Sequence, residues 1–253
     1  MKNRICFTLA ILAVLWLNVV SVQAETEVFR ITDNGYMDIL PAVHGNSVVW
    51  QGYQDGDWEI FLYDIAAAQT VQISANDYDD IAARTDGNHV VWLGMNAAGG
   101  NIYMYDIPSG PTIRVTDNAK IKSWPQIGDG RIVWSSQEVA DSVLPGEIEL
   151  YEIDDDTGTI TTISAAVDPD GDLDDHSPLI GNNQVVWVQT GLYENVRASS
   201  NRPANNMAKC RTSDSNKNCG YKNTLFIHDL TTGATYPAPD DFTIDFGPTR
   251  SGN

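Results

Sequence analysis

Ser47-Val48-Val49-Trp50, His89-Val90-Val91-Trp92, Arg131-Ile132-Val133-Trp134 and Gln184-Val185-Val186-Trp187 are one short motif written four times. The tryptophans lie 42, 42 and 53 residues apart, and a recurring period of that size is the mark of a repeat architecture. A tight-turn pair precedes each motif: Gly45-Asn46, Gly87-Asn88, Asp129-Gly130 and Asn182-Asn183. Such pairs supply the positive φ that two-residue hairpins need. Nine residues before each Trp stand Pro41, Ala83, Pro125 and Pro178, and three before those stand Asp38, Asp80, Lys122 and Asp175. The aspartates of this last set are expected to cap turns.

The pattern continues after the Trp. A polar loop leads to a third strand, Glu59–Asp64, Asn101–Asp106, Glu147–Tyr151 or Thr224–Asp229, rich in β-branched and aromatic residues. A turn then leads to a last short strand such as Val71–Ser74 or Ile113–Thr116. No stretch after the leader keeps helical periodicity over three turns. Four strands per unit of about 42 residues predict an all-β chain, a β-propeller of four-stranded blades. The blades are expected at about 33–74, 75–116, 117–164 and 165–239, with the start of a fifth at 240–253. In this reading the Trp residues and Tyr63, Tyr105 and Tyr151 are core, while Asp64, Asp106 and Asp229 hydrogen-bond their own turns.

The motif order Asp-x-x-Pro, Gly-Asn, Val-Val-Trp, Ile-Tyr-x-Tyr-Asp and Ile-Thr resembles the TolB-like (WD40-like) propeller repeat family of periplasmic and cell-surface proteins. The resemblance runs from about residue 28 to residue 253, with Gly-Asn variants where that family commonly has Ser-Pro-Asp-Gly. It implies an exported binding or scaffold module of the cell envelope. Oligogalacturonate lyases, TolB-like propellers with a histidine-rich metal site, supply the enzymatic alternative. A further alternative is the propeller part of a larger surface protein or peptidase. His44, His89, His176 and His228 fall in different parts of the repeats, and no Gly-x-Ser-x-Gly or His-Glu-x-x-His motif occurs.

Charge and the termini set the compartment. Lys2 and Arg4, the apolar run Ile5–Val22 and the small-residue end Val22-Gln23-Ala24 read as a signal peptide over 1–24, ahead of a propeller region 25–253. After cleavage no membrane span is expected. The chain carries 15 Lys+Arg against 34 Asp+Glu, a net charge of -19, which excludes nucleic acid as a partner and disfavours anionic membranes. The expected location is periplasmic or extracellular, and the expected partner is a protein or polysaccharide there. Cys210 and Cys219 remain after cleavage and read as a disulfide in an oxidising compartment.

Three further features suggest sites. Between Trp187 and Thr224 the chain inserts 36 residues, where the first unit uses eight between Trp50 and Glu59. This insertion carries Arg197, Arg202, Lys209, Arg211, Lys217 and Lys222, read as partner contacts. Asp168, Asp170, Asp172, Asp174 and Asp175 cluster around Gly171, and oxygen-only ligands so spaced suit calcium. Finally, Val28–Thr32 matches a last strand without its first three, and 245–253 restarts the repeat and stops at Gly252-Asn253. The sequence therefore reads as a truncated propeller. No catalytic set is read.

Overall fold

The computed structural model describes residues 28–96, 99–138, 146–153, 158–168, 173–194 and 219–239, with backbone alone at 192–194 and 219–222. Two compact units are distinguished, Met1–Asn34 and Gly35–Asn253. Of the first, residues 28–34 are described: Arg30 pairs with Asp33, and Val28 and Phe29 are exposed. Val28–Thr32 forms no strand there, a correction to the sequence reading. An outer-strand pattern becomes a strand only where a third strand offers its ladder.

The second unit contains four antiparallel sheets, each built in chain order. Blade 1 comprises β1 (Asp38–His44), β2 (Ser47–Gln54), β3 (Asp57–Asp64) and β4 (Gln69–Gln72). Blade 2 comprises β5 (Asp80–Thr85), β6 (His89–Gly94), β7 (Asn101–Asp106) and β8 (Thr112–Arg114). Blade 3 comprises β9 (Ile121–Lys122), β10 (Gln126–Gly128), β11 (Arg131–Gln137), β12 (Glu147–Glu152) and β13 (Ile160–Thr162). Blade 4 comprises β14 (Asp174–Gly181), β15 (Gln184–Glu194), β16 (Cys219–Asp229) and β17 (Thr235–Pro237). Because β9 and β10 both pair with β11, they are one first strand interrupted by a bulge. This is the β-propeller architecture expected from the repeats; residues 240–253 lie outside the described residues.

The same bulge recurs in each blade. Register slips between Ile39 and Ala42, Ile81 and Arg84, and His176 and Leu179. Leu40, Ala82 and Ser177 take φ of 53, 60 and 55° at those points. A bulge bends the first strand and turns its side chains away from the flat pleat. The first strands approach one another, β1 to β5, β5 to β10 and β10 to β14, so they form the inner side of the array.

Period-two alternation on the second strands builds the interfaces between blades. Val49, Ile60 and Leu62 of blade 1 pack on Ala83, Val90 and Trp92 of blade 2. Val91, Ile102 and Met104 pack forward onto Ile132 and Trp134, and Val133, Ile148 and Leu150 onto Val185 and Trp187. Within blades 1 to 3 a hydroxyl just past the fourth strand ties back to the third: the Ile60, Ile102 and Ile148 amides donate to Ser74 Oγ, Thr116 Oγ1 and Ser164 Oγ at 2.8, 2.9 and 3.0 Å.

Two of the aspartates three before the Pro position reach the tryptophan of their own blade rather than only a neighbouring turn. Asp38 and Asp175 accept the indole N–H of Trp50 and Trp187 at 3.0 and 2.7 Å. The bulge register places each two residues across from its Trp, beside Gly52 or Gln189. A Cβ on Gly52 or Gly94 would stand 2.9 or 2.7 Å from the Asp38 or Asp80 carboxylate, so a side chain there would have to move the carboxylate, as the arrangement around Gln189 in blade 4 does. Blade 3 exchanges the partners. Lys122 replaces the aspartate and Glu149 replaces the aromatic that stacks on the Trp in the other blades, as Phe61, Tyr103 and Phe226 do. Trp134 therefore donates to Glu149 at 2.7 Å, and Lys120 neutralises that carboxylate at 2.9 Å. The turn aspartates match expectation: Asp64, Asp106 and Asp229 accept amides two or three residues ahead.

Candidate functional site

The inner side of blades 3 and 4 holds the most distinctive concavity, a cavity of about 430 Å³. It starts at the bulge of blade 3. Trp50, Trp92, Trp134 and Trp187 are all at most 4% exposed, whereas Trp124, on the bulge, is 50% exposed. At that place in the other blades stand Leu40, Ala82 and Ser177, so blade 3 alone presents an aromatic ring there. Ser123 and Ser135 fix the strand beside it: the Ser135 amide and hydroxyl donate to Ser123 Oγ at 3.0 and 2.7 Å, and the Ser123 amide donates to the Ser135 carbonyl.

Blade 4 supplies the opposite wall. Leu179, 37% exposed, pairs with Val186, and His176 pairs with Val188, so these side chains share one face of the sheet. The His176 ring is held at both nitrogens, to Ser177 Oγ at 2.9 Å and to Thr190 Oγ1 at 3.1 Å. Among the described residues that line it, this imidazole is the one ionisable side chain. Trp124 belongs to none of the recurring motifs of the repeat. The available signal was Trp124-Pro125, the one repeat with an aromatic immediately before the Pro position.

The residues read from sequence as sites are placed as follows. Of the acidic loop, Asp170 and Asp172 lie outside the described residues. The three described members already hold structural bonds. Asp168 accepts the Leu173 amide at 2.8 Å, Asp174 the Gly146 amide at 3.0 Å, and Asp175 the Trp187 and Gln189 side chains at 2.7 and 3.2 Å. Burial pushes Asp175 up to about 7, opposed by those two donors and helped by the charges of Asp168 and Asp174. Among the described residues no group of three His, Cys, Asp or Glu is arranged to hold a metal. Arg197, Arg202, Lys209, Arg211, Lys217 and Cys210 lie outside the described residues. Lys222 and Cys219 are on β16 by backbone alone.

The histidines do not converge. His44 ends β1, and His89 opens β6 between Asp86 and Asp106 at 3.3 and 3.6 Å. His176 is in the cleft wall, and His228, on β16, bonds Thr235 at 2.7 Å. Burial lowers the His228 pKa.

Comparison with known proteins agrees at the level of fold. No protein-family model and no curated protein matches the sequence. Among solved structures, TolB from Acinetobacter baumannii superposes with a TM-score of 0.51 at 13% identity, over 82% of this chain and 44% of that one. A puromycin-hydrolyzing peptidase of Mycobacterium tuberculosis gives 0.53 at 11% identity, over 87% of this chain and 31% of that one. The β-propeller domain of the Trilobed protease from Pyrococcus furiosus gives 0.50 at 8% identity, over 81% and 57%. The chain thus spans less than two thirds of each of these structures. The fold is a β-propeller of the kind seen in TolB, as the repeats implied.

Proposed function

We propose that the protein is an exported, non-catalytic β-propeller that binds a protein or polysaccharide of the cell envelope or exterior through the inner cleft of blades 3 and 4. The half-exposed Trp124 carries the proposal: a large aromatic ring open on the inner side of the array, beside hydroxyl and imidazole groups held in place, is the composition of a binding site. The separation of the four histidines over three blades supports binding over chemistry. Lys2, Arg4 and the apolar run behind them support export. The reading includes a Cys210–Cys219 disulfide steadying a basic loop that adds contacts, and calcium at the Asp168–Asp175 loop.

Affinity capture from envelope extract tests the proposal, using the wild type and Leu179→Asp, a change at an exposed wall position. The variant is expected to lose the species that the wild type retains. Identical capture by both would place binding elsewhere and overturn the proposal.

A further inference from the structure

On blades that take no part in that cleft, and independently of it, we infer a docking surface: the loop end of blades 1 and 2 seats a Lys- or Arg-bearing segment of another protein on Tyr53 and Trp58. The surface starts at the β2–β3 hairpin. Asp55 and Gly56, at φ of 59 and 120°, make its two-residue turn, and such a turn holds its flanking strands in a fixed twist. Behind it Tyr53 pairs with Trp58, the two rings edge to face with centroids 5.3 Å apart. The repeat does not call for aromatics at this rung. In blade 4 the same rung is Thr190 against Asn223, and in blade 2 the ladder stops one rung earlier, at Gly94 against Asn101. Tyr53 is nevertheless 44% exposed, with Trp58 half-buried beside it.

Two methionines extend the patch across the seam. The Tyr53 amide donates to the Met37 carbonyl at 2.9 Å, the Trp58 amide to Asp79 Oδ1 at 3.0 Å, and the Met95 amide to the Asp79 carbonyl at 2.8 Å. These bonds tie the aromatic pair to Met37 and Met95, which are 61% and 45% exposed. Neighbouring exposed apolar side chains mark interaction surfaces, and Trp, Tyr and Met are types that protein interfaces concentrate. Charge then selects the partner. Asp55, Asp77 and Asp79 are exposed around the patch. From Gly35 to Ala83 the chain has eight Asp and Glu and not one Lys or Arg. A guanidinium or ammonium group over either ring gains a cation–π contact, with carboxylates beside it for charge-assisted hydrogen bonds. An acidic partner is repelled there. A single metal ion fits less well, because among the described residues no three such carboxylates converge; cations spaced along a chain match carboxylates spaced along a surface.

Fluorescence anisotropy on the full chain at physiological salt tests this, with three labelled nonapeptides built from Arg-Gly-Leu, Ser-Gly-Leu or Glu-Gly-Leu units. The arginine peptide should bind, the serine peptide several-fold more weakly, and the glutamate peptide not at all. Tyr53→Ala should weaken the arginine peptide about fivefold, the worth of one cation–π anchor, while Tyr53→Phe keeps most of its affinity. Asp55→Asn with Asp77→Asn should weaken it to a similar extent. Asp106→Asn with Asp229→Asn makes the same change of charge in the turns after β7 and β16, at the opposite end of the blades, and should leave affinity nearly unchanged. Circular dichroism checks folding, and were Tyr53→Ala to fail it, the two aspartate pairs would decide alone. No preference for the arginine peptide over the serine peptide would overturn the inference. So would equal weakening by the two aspartate pairs, which would mean attraction to net charge alone, or indifference to Tyr53→Ala in a folded protein.

Discussion

Asp175 makes the stability of the fold depend on pH in a direction opposite to that of most carboxylates. The side chain is 1% exposed between blades 3 and 4, and burial raises it to about 7 from an ordinary value of 3.8. A carboxyl whose folded pKa lies above its unfolded one binds more protons folded than unfolded. Its stabilising contribution is therefore complete below about pH 4 and is lost as pH rises through about 7. A shift of about three units corresponds to about 4 kcal/mol between those limits. Asn at this position keeps an acceptor for the Trp187 indole and cannot ionise. Asp175→Asn should therefore flatten the decline in unfolding free energy between pH 5 and pH 8 and make the variant the more stable protein at pH 8. Urea titrations followed by tryptophan fluorescence at each pH measure it. Parallel pH profiles for the two proteins would refute the reasoning, since they would mean that Asp175 is already ionised and solvated in the fold.

Two other outcomes are expected. Trp134→Phe removes the 2.7 Å bond to Glu149 and leaves a carboxylate only 3% exposed without its indole donor, beside Lys120. The expected loss is about 2–3 kcal/mol by denaturant titration, and a loss below about 0.5 kcal/mol would contradict the exchanged-partner account of blade 3. Millimolar calcium should raise the melting temperature if the Asp168–Asp175 loop binds it, by an amount set by mass action. No calorimetric heat and an unmoved melting temperature would remove calcium from the proposal.

Most of the architecture was legible because its signals are local. The Val-Val-Trp strands, the turn pairs and the Asx residues Asp64, Asp106 and Asp229 act within a few residues of themselves, and all stand where the repeats put them. The Asp38–Trp50 bond escaped because its partners are twelve residues apart and meet only through a bulge that periodicity does not encode. The blade 3 exchange was hidden for a related reason: Lys122 and Glu149 each look like a lapse of the repeat until the register puts both around Trp134. Trp124 went unread because a repeat argument averages over copies, and its meaning lies in how one copy departs from the others. The acidic and basic loops were conspicuous by charge, but charge alone does not fix a site.

Oxidative footprinting of the tryptophans, in the free protein and in the presence of envelope extract or a captured ligand, tests the central claim most directly. Free, Trp124 should oxidise far faster than Trp50, Trp92, Trp134 and Trp187, which are buried. Bound, Trp124 should be protected while the other tryptophans keep their rates. Unchanged Trp124 oxidation in a demonstrably occupied protein would contradict the claim that the cleft of blades 3 and 4 is where this propeller binds.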